Sequence, residues 1–156
     1  MTNPSDPLLV DAMWRAADLT RAYLAQDRAR VAACLTNLDT GLLERIGSWL
    51  VLDHDQLFTR LGEPTMSVSR LKAVAALAPA ETEFATSTAI HRVAAAETRL
   101  TPALESLALP DQIHALTICI VVMLLEAYGR TRSLAEIDDM TTDYEQRGYP
   151  RPYPVL

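Results

Sequence analysis

The stretch from Asp111 to Tyr128, DQIHALTICIVVMLLEAY, leaves this chain few ways to fold, because every residue from Ala115 to Leu125 except Thr117 is apolar. A helix that is apolar on all sides must be enclosed by other elements or lie in a bilayer. Spanning a bilayer takes about 20 apolar residues. The uninterrupted run is roughly half of that, and Asp111, His114 and Glu126 flank it. The segment is therefore expected to be the core helix of a bundle. Pro110 suits a first helical position, Asp111 sits where the helix dipole favours a carboxylate, and Gly129 is placed to end the helix.

Enough apolar material is present to surround it. The chain has 156 residues, 49% of them hydrophobic, which fits one domain with a real core and argues against disorder. Its 20 acidic and 14 basic residues give a net charge of −6, so no global attraction to nucleic acid or to an anionic membrane is expected. The N-terminus, MTNPSDPLLVD, lacks the pattern of a secretory signal, and a cytoplasmic protein is expected. Cys34 and Cys119 lie in apolar helical stretches and read as buried free thiols.

Helical spacing recurs along the chain. Asp6-Pro7 starts an amphipathic helix with Leu9, Met13, Ala16, Ala17 and Leu24 on one side and Asp11, Arg15, Asp18 and Arg21 on the other. Val31 to Leu38 gives a short second helix, and Asp39 or Thr40 begins a long third that Gly62 closes, with Asp53-His54-Asp55 able to bend or break it. Further helices are predicted over 67–77, 81–100 and after Thr101-Pro102. Small alanines at 94–96 would allow close helix approach. After the central helix, Ser133 to Glu136 fits a capping box. No segment alternates like a strand, so the expected fold is all-α: an antiparallel bundle of about six or seven helices around 111–128. It would occupy residues 1–148, followed by an extended Pro/Tyr-rich tail, 149–156.

The chemistry-bearing motifs are mostly missing. Five glycines leave no phosphate-cradling loop, and HExxH, GxSxG and CxxC do not occur. No cofactor is expected, and enzymatic activity is disfavoured. Four weaker constellations remain. Tyr149, Arg151 and Tyr153 in the tail could pack on the chain's own surface or reach a partner. Residues 57–77 resemble a helix-turn-helix in their glycine turn and carry a local charge of +2, which would turn Ser67, Ser69, Arg70 and Lys72 toward DNA; the bulky Phe58 and Pro64 depart from that pattern. His54, His91 and His114 lie on three different helices, as a metal site within a bundle requires, or else stand as surface and boundary residues. Asp53 and Asp55 beside His54 could orient it as a base, or form a charged turn facing water. Trp14, Trp49 and Met123 could line an apolar ligand pocket; Trp14, Trp49, Phe58, Phe84 and Tyr128 otherwise read as core.

The function these observations favour is a non-enzymatic interaction or regulatory protein acting through a homodimer or a protein partner. The alternatives are a helix-turn-helix regulator and a ligand- or metal-binding bundle.

Overall fold

The central helix forms, and the rest of the chain wraps it. The computed structural model describes residues 6–94 and 100–155, except for the side chains of 83–85 and 94. All regular structure among them is helical: α1 Pro7–Leu24, α2 Arg28–Ala33, α3 Thr40–Arg60, α4 Val68–Ala75, α5 Ala80–Ala94, α6 Leu100–Glu105, α7 Leu109–Tyr128 and α8 Arg130–Gln146. Phe84 and the alanines at 94–96 fall outside the described side chains. The fold is a helical bundle in which α7 touches α1, α3, α4, α5, α6 and α8, while α2 packs on α1.

α7 is long and apolar enough to cross a membrane, yet every residue from Ile113 to Leu125 is buried by its neighbours. Each large aliphatic side chain so enclosed contributes about 1.5–3 kcal/mol. Its one interior hydroxyl costs nothing, because Thr117 Oγ1 donates to the Ile113 carbonyl at 2.8 Å.

The helix starts follow side-chain caps. Asp6, Asp27 and Asp39 accept from the first-turn amides of α1, α2 and α3, and Ser67 does the same for α4. α3 runs unbroken through Asp53-His54-Asp55, because its buried stripe of Leu42, Ile46, Leu50, His54 and Leu57 keeps one continuous face on the core. Beyond α3, Gly62 and Glu63 both take positive φ, which turns the chain toward α4.

The capping box expected at Ser133 is not the start of α8. That helix begins three residues earlier, and Ser133 is buried, with Oγ donating to the Leu124 carbonyl of α7 at 3.1 Å. One residue, Gly129, ends α7 and begins α8 with φ 77° and ψ 170°, a region essentially restricted to glycine. A Cβ there would meet nothing within 4 Å, so only the backbone opposes a side chain. Gly129→Ala is expected to cost about 1–3 kcal/mol, read as a lower midpoint in a urea melt.

Candidate functional site

α1 is enclosed on more sides than its amphipathic pattern implies, because the C-terminal tail covers part of its polar face. Gly148 (φ 89°) terminates α8, its amide donating to the Glu145 carbonyl and that of Tyr149 to the Tyr144 carbonyl. Pro150, Pro152 and Pro154 then keep the segment out of helix. The tail returns along α1, where Trp14 Nε1 donates to the Tyr149 carbonyl at 2.9 Å. The Arg151 guanidinium and the Tyr153 hydroxyl both donate to Oδ2 of Asp18. Arg15, held by Asp11, lies 4.0 Å over the Tyr153 ring, and Arg151 lies 4.6 Å over the Trp14 ring. Burial, and then the Asp18 carboxylate, push the Tyr153 phenol above its ordinary pKa, which keeps it a donor. Thus Tyr149, Arg151 and Tyr153 are engaged by the chain's own α1.

Beside this latch a cleft of about 430 Å³ lies between α1, α2, α8 and the tail, bordered by Asp18, Arg21, Cys34, Asp138, Arg151 and Val155. Its charges come in pairs: Arg151 with Asp18, Arg21 with Asp138 at 2.8 Å, and Arg30 with Asp27 at 3.4 Å. Burial pushes the Cys34 thiol up to about 12, so it is no thiolate at neutral pH.

The ligand pocket drawn from Trp14, Trp49 and Met123 does not assemble. Trp14 and Trp49 pack with Met13 and Tyr144, the Trp14 ring standing edge-on to Tyr144 at 5.8 Å, whereas Met123 belongs to the main core around α7. None of the three borders the clefts of 430, 370 or 260 Å³.

The helix-turn-helix geometry is not formed either. α4 packs on α5 and α7 rather than back onto α3. Ser67 caps α4, shares a hydrogen bond with Ser69 at 2.9 Å, and gives its amide to Glu126 Oε1 at 3.2 Å. Arg70 lies 3.9 Å from the same carboxylate, which leaves Lys72 exposed without a basic neighbour on the helix other than a partly neutralised arginine. A 370 Å³ cleft borders this segment, with Tyr23 and Arg130 on its other side.

The three histidines stay apart. His91 is exposed on α5. His54, read as a surface or boundary residue, is buried at 6% exposure, stacked on Phe58, with Nδ1 3.1 Å from Asp55 Oδ1. His114, read at the solvated start of the core helix, is buried at 2% because the bundle covers it; its Nδ1 shares a hydrogen bond with the Tyr23 hydroxyl at 2.8 Å. Burial lowers its pKa to about 4, against a smaller opposing pull from Glu81, so the ring is neutral. Among the described residues no group of three or more His, Cys, Asp or Glu side chains could hold a metal ion.

Of the two carboxylates in the Asp53-His54-Asp55 triplet, Asp53 is the one that faces the bundle, while Asp55 is exposed. Asp53 follows Ile46 and Leu50 and precedes Leu57 at core spacing, which turns it from water toward α8. Half-buried and without a hydrogen bond or ion pair among the described residues, it borders a 260 Å³ cleft between α3 and α8, and burial pushes its carboxyl up to about 7. Asp18 was missed because on sequence it belongs to a solvated face. The signal that could have found it is a basic, aromatic tail in an acidic protein, which calls for a carboxylate to dock on.

Compared with known proteins, the chain matches no protein-family model, no curated protein and no solved structure.

Proposed function

We propose that the protein is a non-enzymatic association module whose C-terminal segment acts as a short peptide ligand for the face formed by α1 and α8. The segment engages that face within its own chain, and exchange of the same contacts between two copies gives a homodimer. The observation that carries this reading is the convergence of Arg151 and Tyr153 on Asp18, with Trp14 on the Tyr149 carbonyl. An extended, proline-held strip bound by a backbone acceptor, a guanidinium and a phenol has the chemistry of peptide recognition. Gly148 supplies the hinge, and exchange of an identical element between protomers adds no new kind of contact. Regulation then consists of the choice between closure and exchange.

The test is the mass of the untagged full chain by native mass spectrometry across a concentration series, with a chain cut before Gly148 alongside. The closed monomer and the exchanged dimer hold the same Asp18 contacts, so Asp18→Ala weakens both alike, whereas removal of the tail leaves nothing to exchange; the full chain is expected to form a dimer that the shortened chain does not. A dimer equally strong in both proteins, or no dimer at millimolar full chain, removes the role assigned to the tail.

A further inference from the structure

We infer that the cleft between α3 and α8 is a binding site for a small organic monocation, an amine carrying an apolar body. The cleft is 260 Å³, with an apolar lining of Leu57, Ile120, Leu124, Ile137 and Met140, and Asp53 on its wall. That is below the usual range for drug-sized ligands, about 300–1,000 Å³, and suits a molecule of one ring or a short branched chain.

The charge of the ligand follows from Asp53. Carboxylates drawn out of water are normally paired. Elsewhere in this chain Asp11 and Asp18, the most enclosed of the ion-paired aspartates, lie on Arg15 and Arg151, whereas the half-buried Asp111 has no ion pair among the described residues. Asp53 has no such partner among the described residues, and burial is what raises its pKa, with no cation among them to oppose it. The charged and titratable groups around it are few. Arg60 borders the cleft two turns further along α3, outside ion-pairing distance; α8 contributes Glu136 at the cleft and the Tyr144 phenol, whose pKa Asp53 helps to raise; α1 and α7 contribute Thr20, Ile120 and Leu124, none of which titrates. Glu136 is turned to solvent toward Arg132 at 3.9 Å. An ammonium group on Asp53 would complete the missing pair while the apolar body displaces water from the aliphatic lining. The net charge of −6 also favours encounter with a cation.

Phenethylammonium is a suitable probe, with 2-phenylethanol as its neutral counterpart, followed on the full chain by the methyl resonance of Met140 in a titration at pH 8. Saturable shifts are expected with the amine, at least about tenfold tighter than with the alcohol, the range of a charge-assisted contact. Asp53→Asn should abolish that preference, while Glu136→Gln should change it by less than about twofold. Because the ammonium needs ionised Asp53, affinity should fall as the pH drops below about 7. Equal binding of amine and alcohol overturns the inference, as do an unchanged preference in Asp53→Asn, loss of it in Glu136→Gln, and silence of Met140 with both probes.

Discussion

Asp53→Asn is expected to raise the unfolding free energy at pH 8 by about 2–4 kcal/mol, and to leave it nearly unchanged at pH 4. The carboxyl has an ordinary value of 3.8, which the unfolded chain retains, and a folded value of about 7. Between those limits the folded chain holds a proton that the unfolded chain has released. Stability from this group is thus fully present below pH 3.8, declines as the pH rises toward 7, and is flat above it. Asparagine keeps the neutral shape at every pH and so escapes the loss. Urea melts of the two proteins at pH 4, 5.5 and 8 measure it. A gain that is the same at all three values would mean that the carboxylate is not desolvated. If the gain appears together with loss of amine binding, the residue trades stability for a site.

His114 produces a slope of the opposite sign. Its folded value of about 4 lies below the ordinary 6.5, so the unfolded chain binds the extra proton between those limits. Stability rises from pH 4 to pH 6.5, and the loss on acidification is about 3 kcal/mol. Over that window Asp53 and His114 nearly cancel, so the wild type should show a flat profile from these two groups. Asp53→Asn should reveal the histidine slope as steep acid destabilisation. An NMR titration of the His114 ring checks the cause directly: a midpoint near 6.5 would show that the ring is reached by water in the folded chain. Tyr23→Phe, which removes the hydroxyl 2.8 Å from His114 Nδ1, should cost about 1–3 kcal/mol at pH 7 by leaving a buried ring nitrogen unpaired.

The helical architecture was legible because it rests on periodicity and on caps that act locally. The run from Ala115 to Leu125 announced a buried helix, and Asp6, Asp39 and Ser67 marked starts where side chains do accept first-turn amides. Failures came where one long-range contact outweighed a local signal. Ser133 has the spacing of a cap but bonds to Leu124, since Gly129 had already turned the chain. His114 follows a proline and an aspartate as an exposed first-turn residue would, yet its fate was set by Tyr23, ninety-one positions away. The same holds for the sites. Tyr149, Arg151 and Tyr153 were identified as docking residues, but Asp18 could not be named as their acceptor, because nothing in the pattern of α1 separates it from Asp11. Asp53 shares the spacing of Leu50 and Leu57, which marks an inward face, but two aspartates around a histidine read locally as a charged turn facing water.

The position of α7 in the chain has a consequence for synthesis. α1 and α3 pack on each other and on α7, but α7 is not complete until residue 128, long after α3 ends at Arg60. At about 5–20 residues per second, the ribosome leaves the parts of α1 and α3 that meet α7 without that partner for several seconds. Leu19, Leu24, Ile46 and Leu50, all fully enclosed in the finished fold, would spend that interval exposed on a growing chain. The bundle can therefore close only once its own centre has been made.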